Sequence, residues 1–138
     1  VMKSLSKNVR VFSRACPLFV PMVEEGWLNG PIIRDVVRHY LAPLKGKKID
    51  TLMLGCTHYP MLKDVIASYM SAGTVLVDSA RATVQELASK LAQSGLNYPG
   101  NRRGKLEVYV SDKPRNFIRV GERFLREKLK YIEVVRHG

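Results

Sequence analysis

Cysteine is scarce in this sequence: 138 residues contain two, Cys16 and Cys56. So few exclude a disulfide-stapled secreted scaffold and fit a reducing, cytoplasmic setting. Histidine is nearly as scarce, at three, and Cys56-x-His58 lacks the ligand spacing of a zinc site, with no second Cys or His pair nearby. No metal is expected. Long apolar runs are missing as well. None approaches the ~18 residues that cross a bilayer, and residues 1–14 lack the apolar centre of a signal peptide, so a soluble protein with no membrane partner is expected. Acidic side chains complete the shortages, at 12 against 23 Lys and Arg, which leaves a formal charge of +11. Residues 101–138 hold eleven of the basic and five of the acidic groups, over half of the excess.

The chain is 46% hydrophobic, enough for an ordinary core, and its pattern alternates strand and helix. Val9 to Phe12 predicts a first strand, ending near Cys16-Pro17, where proline removes a ladder donor. An apolar patch at 19–23 then leads into Glu24 and Glu25. From Pro31, a stripe of Ile32, Ile33, Val36, Val37, Tyr40 and Leu41 predicts a helix that Pro43 and Gly46 end. Asp50 to Gly55 reads as a second strand, with Leu52, Met53 and Leu54 consecutive as in a strand covered on both faces. Pro60 opens the next helix, carrying Met61, Leu62, Val65, Ile66, Tyr69 and Met70.

Thr74 to Val77 predicts a third strand, with Asp78 and Ser79 at its carboxyl end. Thr83 and Glu86 have capping-box spacing, and Val84, Leu87, Ala88, Leu91 and Ala92 would supply that helix with a core face. Residues 95–104 read as a loop. Leu106 to Val110 predicts a fourth strand, residues 111–114 open a fourth helix with Phe117, Ile118, Phe124, Leu125 and Leu129 inward, and Tyr131 to Val135 a last strand. Five strands and four helical patterns imply an α/β fold, an open, largely parallel sheet with flanking helices.

The stretch with most chemistry is Leu52 to Leu62, LMLGCTHYPML. A buried strand that stops at Gly55 and releases Cys56, Thr57 and His58 before a helix start puts a thiol where open α/β sheets bind ligands. The helix N-terminus would favour a thiolate and a bound carboxylate. Two readings of Cys56 stay open on the residues alone: a nucleophile or proton-transfer thiolate assisted by His58, or a small apolar core residue. Glu24 and Glu25 are solvated loop charges unless one of them meets a histidine and orients it. Cys16 is read as packed, His39 as a surface or packed histidine, and His137 as terminal. Arg115, Arg119, Arg123, Arg126 and Lys130 fall on one helical stripe, either a solvated face or a nucleic-acid footprint.

The segments LGCTHYP at 54–60 and ACPLFVPMVEEG at 15–26, with Asp50-Thr51 and Val77-Asp78-Ser79 around them, resemble the carboxyl-terminal half of glutamate racemase, in the aspartate/glutamate racemase superfamily. That family interconverts L- and D-glutamate without pyridoxal phosphate or a metal, using two cysteines on opposite faces of the α-carbon, and supplies D-glutamate for peptidoglycan and hence for cell-wall biogenesis and cell shape. The resemblance implies that Cys56 is one of the two thiols, that Thr57, together with Cys56 and His58, binds substrate, and that His58 and Glu24 assist proton transfer. It implies a homo-oligomer for the intact protein. The family's preceding half, with its early Asp-Ser pair and the first catalytic cysteine in an Asn-Thr-Ala segment, has no counterpart in this sequence. Cys16 matches a non-catalytic cysteine and cannot replace it.

The expectation is therefore a fragment with half an active site, inactive until the missing amino-terminal half is present. Residues 1–78 would belong to the second lobe of a two-lobed fold, and residues 79–138 would return to a first lobe whose other strands are absent. Uncovered helix faces would then promote self-association. The other reading is an inactive fragment that acts as a basic binding module for nucleic acid or a nucleic-acid-associated protein.

Overall fold

The computed structural model describes residues 8–112 and 117–135, and the chain forms two compact units, Val1–Asp78 and Ser79–Gly138. The first unit contains helix α1 (Phe19–Glu25), helix α2 (Pro31–Lys45), strand β1 (Thr51–Leu54), a 3-10 turn at Tyr59–Leu62, helix α3 (Lys63–Tyr69) and strand β2 (Val75–Asp78). β1 and β2 pair in parallel, with Thr51 opposite Val75 and Leu54 opposite Asp78. A parallel pair needs a crossover, which the turn and α3 supply.

Residues 19–25 are helical, where the sequence shows only an apolar patch followed by two glutamates. Phe19 and Val23, one helical turn apart, are both fully buried. Pro21 falls in the first turn, where no intrahelical donor is lost. Gly26 ends the helix in the left-handed conformation (φ 85°), its N–H reaching back to Met22 and Val23, while Trp27 N–H donates to Met22 at 2.8 Å. α2 begins with Pro31 as expected but runs two residues past Pro43. The buried face Ile33, Val37, Tyr40, Leu41 and Leu44 explains this, since stopping at the proline would expose Leu44. Full burial of one such side chain stabilises by about 1.5–3 kcal/mol, comparable with what an interior proline costs.

The core of this unit is formed by Cys16, Phe19, Ile33, Val37, Leu54, Leu62, Ile66 and their neighbours. Only one face of the sheet is covered. Leu54 is buried, whereas Met53, Val75 and Val77 are 56%, 60% and 39% exposed. The consecutive apolar residues of β1 therefore do not mark a strand covered on both faces in this chain. The predicted strand at Val9–Phe12 is also absent: the segment has no ladder partner among the described residues, and Val9 and Phe12 are exposed.

The second unit holds helix α4 (Ser79–Gln93), strand β3 (Val108–Val110), helix α5 (Phe117–Leu125) and strand β4 (Ile132–Val134), with β3 and β4 parallel. The described strands thus form two parallel pairs flanked by helices, the α/β arrangement expected. α4 starts at Ser79, four residues before the expected cap. Thr83 lies inside it, its hydroxyl donating to the Ser79 carbonyl at 2.8 Å. Neither α4 nor α5 fully buries a residue: the predicted core face of α4 stands open, with Val84 64% and Leu87 54% exposed, whereas Phe117 and Ile118 of α5 are half-buried.

α5 ends at Leu125, and Arg126 turns left-handed (φ 53°). The basic stripe breaks there, because Arg126 and Lys130 lie past the helix. Leu129 lies past it too and is not part of its inward face. Glu122 closes the turn that follows, accepting from Lys128 at 2.7 Å and from the Leu129 N–H at 3.2 Å. Arg123, expected outward, is half-buried, and its Nη1 is enclosed. Arg115, His137 and the predicted start of this helix at 113–114 lie outside the described residues.

Candidate active site

β1 delivers the site. Leu54 is anchored in the core, Gly55 releases the chain, and Cys56, Thr57 and His58 form the turn that follows. The Tyr59 N–H donates to the Cys56 carbonyl at 3.2 Å, and the Met61 N–H to the His58 carbonyl at 3.1 Å. His58 caps the 3-10 turn, and the α-helix proper begins only at Lys63. Cys56 therefore stands beside a single tight turn, which carries less of an aligned dipole than the long helix expected there.

Glu24, distant in sequence, arrives on α1. Its Oε1 lies 3.5 Å from His58 Nε2, and Thr57 Oγ1 lies 3.5 Å from His58 Nδ1. A ring that donates from Nε2 to the carboxylate leaves Nδ1 to accept the threonine proton, whereas an imidazolium donates to both. Glu24, Thr57 and His58 are thus brought together. Each histidine nitrogen lies 3.5 Å from one of these two partners, and Cys56 is held as their backbone neighbour. Its thiol is partly exposed, while Cys16 is buried. Burial pushes the Cys16 thiol up from its ordinary pKa, with Arg14 opposing weakly, so Cys16 behaves as the packed residue its sequence context suggested. His39 is exposed and lies edge-on to Tyr40.

Tyr59 is the residue that sequence reasoning missed. Its hydroxyl donates to the Cys16 carbonyl at 3.3 Å, and its ring meets Phe19 edge-on with centroids 5.2 Å apart. It ties the turn bearing Cys56 to α1, the helix that carries Glu24. Burial raises the Tyr59 pKa, as do the nearby Cys16 and Cys56 sulfurs. Nothing local in the sequence announces a partner 43 residues away. At the end of β2, Asp78 pairs with Lys63 at 3.6 Å, placing a cation and a carboxylate at the carboxyl edge of the sheet.

Among the described residues there is no cluster of His, Cys, Asp or Glu that could hold a metal ion, and no helix is long and apolar enough to cross a membrane. In the second unit, Arg119, Arg123, Arg126 and Lys128 line a shallow hollow of about 550 Å³ that also contains Glu122 and Glu127. Arg103 pairs with Glu127 at 2.9 Å and Lys128 with Glu122, so ion pairing offsets part of the basic surface.

No known family model matches the chain. Full-length relatives do match. The chain is 46% identical over 127 residues to the glutamate racemase of Geobacter metallireducens, covering 92% of this chain and 47% of that protein. It is 49% identical over 129 residues to the glutamate racemase of Neisseria meningitidis serogroup A, covering 93% and 47%. The crystal structure of the Francisella tularensis glutamate racemase in complex with D-glutamate superposes with a TM-score of 0.87 at 35% identity, over 97% of this chain and 50% of that one. The chain spans about half the length of the curated relatives it matches.

Proposed function

We propose that this chain, which spans about half the length of the glutamate racemases it matches, is the carboxyl-terminal half of a cofactor-independent racemase of that family, contributing one of two catalytic thiols. The substrate is L- or D-glutamate, the product feeds peptidoglycan synthesis in the cytoplasm, and the intact protein is a homo-oligomer. Residues 1–78 form most of one lobe and residues 79–138 complete the other. The observation that carries this reading is the arrangement of Glu24, His58 and Thr57 beside the partly exposed Cys56, at the carboxyl end of a parallel strand.

The α-proton of an amino acid is a very weak acid, so its removal needs a matched base, donors for the developing charge and exclusion of water. Cys56 exchanges a proton with one face of the α-carbon: as a thiolate it takes the proton, and as a thiol it returns one. Glu24 holds the His58 ring, and His58 with Thr57 binds substrate and tunes the proton inventory of Cys56. Inversion requires a second acid on the opposite face, which the other half of the racemase supplies. Nothing observed favours the nucleic-acid reading, whose stripe is broken at Arg126, where the helix has ended.

The test is proton exchange at the α-carbon in D₂O, using this chain combined with the half of the Geobacter metallireducens enzyme that it does not match. Cys56→Ala should abolish deuterium incorporation into glutamate, and Cys16→Ala should preserve it in folded protein. Undiminished exchange with Cys56→Ala rejects the assignment.

A further inference from the structure

We infer that Tyr59 is a positioning residue of the site: its ring seats α1 and thereby holds the Glu24 carboxylate within reach of His58. Glu24 and His58 come from distant segments, so their contact lasts only while α1 keeps its place against the turn that follows β1. That contact has little slack. Glu24 Oε1 and His58 Nε2 are 3.5 Å apart, and a roll of α1 by about 20° would carry a side-chain tip ~6 Å from the helix axis through ~2 Å, enough to break it. Phe19 and Val23, both fully buried, anchor α1 in the core. Glu24 follows Val23, ~100° around the helix from it, so it flanks the buried face and moves with any roll.

The Phe19 ring is held edge-on from two sides, by Tyr40 of α2 with ring centroids 5.6 Å apart and by Tyr59 at 5.2 Å. Tyr40 ties α1 to the core. Tyr59 ties it to the site, because Tyr59 follows His58 in the chain and its N–H donates to the Cys56 carbonyl at 3.2 Å. The ring carries this role more than the hydroxyl does. The hydroxyl reaches the Cys16 carbonyl at 3.3 Å, and that carbonyl already accepts the Phe19 N–H at 3.0 Å; a strong O–H···O bond is shorter, at ~2.7–2.8 Å. The edge-to-face pair restricts how Phe19 can turn. Loss of the hydroxyl should thus leave α1 in place, whereas loss of the aromatic edge should let it roll. Tyr59 acts through Glu24 and is not itself catalytic.

The inference rests on the racemase reading of Glu24 and His58, so its first test does not use catalysis. In the chain alone, the His58 ring signals are followed by NMR through a double-mutant cycle. Glu24→Gln should shift them in the native background and in Tyr59→Phe, but less than about a third as far in Tyr59→Leu, where the contact is already lost. Should Tyr59→Leu fail to fold, Tyr59→Met fills the same space without an aromatic edge and is expected to behave alike. An undiminished shift in the folded variant overturns the inference, as does its loss in Tyr59→Phe, which would make the hydroxyl the anchor. The second test reads glutamate exchange in a fusion of the chain with the unmatched half of the Geobacter metallireducens enzyme. Tyr59→Leu should lower kcat by roughly tenfold or more with KM within about twofold, and Tyr59→Phe should lower it by less than about threefold. With Glu24→Gln already present, Tyr59→Leu should cost less than about twofold further; additive losses overturn the inference. If Cys56→Ala leaves exchange intact, the racemase reading fails, and the NMR cycle still decides whether Tyr59 places Glu24.

Discussion

The two units differ in how far they are finished. Every fully buried residue described lies between Cys16 and Met70, and none lies between Ser79 and Val135. Both units have a parallel strand pair and amphipathic helices. In the first, three helices close over one face of the sheet. In the second, α4 keeps its apolar stripe largely exposed and α5 only half-buries its own. An amphipathic pattern specifies a buried face, but burial needs an opposing layer, and in the second unit the described residues do not supply one. The contrast locates the candidate site in the finished unit. It also explains how a chain of half length can hold Glu24 against His58.

Core truncation should separate the units most strongly. Phe19→Ala removes a fully buried ring that also braces Tyr40 and Tyr59, and should cost about 3–5 kcal/mol in denaturant unfolding, whereas Leu87→Ala, on exposed α4, should cost less than about 0.5 kcal/mol. Equal costs would erase the distinction. Self-association is next. Replacing Val84 and Leu87 with lysine should lower the sedimenting mass of the chain at high concentration, since open apolar helix faces promote association. An unchanged mass would show that α4 is covered by something else.

Glu24→Gln should cost at most about 1 kcal/mol of stability, because the pair with His58 is partly exposed. It should nevertheless cut glutamate exchange in the completed enzyme, by about 10²-fold if the carboxylate supports proton transfer. Unaltered exchange would reduce Glu24 to a surface charge.

The smallest effects are in pH. Bonds from Lys128 and the Leu129 N–H hold the Glu122 carboxyl below its ordinary value. Its folded pKa lies under its unfolded one, so this contribution is complete above the ordinary carboxylate range and is lost as pH falls through the depressed value. The hydrogen bond to Glu133 pushes Tyr131 up to about 12. A raised pKa works in the opposite sense, so its contribution persists below the ordinary tyrosine value and is lost as pH rises toward about 12. Protection factors of the β3 and β4 amides, taken relative to intrinsic exchange at each pH, should therefore fall at both extremes. Insensitivity at both ends would remove these contacts from the account.

Much of this was legible in the sequence because the signals are local. Pro31 and the stripe from Ile33 to Leu41 mark α2, and the apolar run stopping at Gly55 marks the strand end that bears Cys56. What could not be read depends on partners distant in the chain or not in it. Helix α1 rests on burial of two residues, Phe19 and Val23, too few for a periodicity to show. Val9 to Phe12 has strand composition but no strand to pair with among the described residues. The continuation of α2 past Pro43 is decided by Leu44 reaching the core. At the site, the Cys-Thr-His order is local, whereas the contact of Glu24 with His58 and the tie from Tyr59 to the Cys16 carbonyl cross 34 and 43 positions.

The central claim is that the finished unit presents Cys56 as its reactive thiol and keeps Cys16 as packing. Iodoacetamide labelling of the chain alone, followed by peptide mass spectrometry, tests it without any second half. Cys16 can react only when the core around it opens, so Cys56 should be alkylated about 100-fold faster or more near neutral pH. Equal rates, or faster labelling of Cys16, would contradict the account.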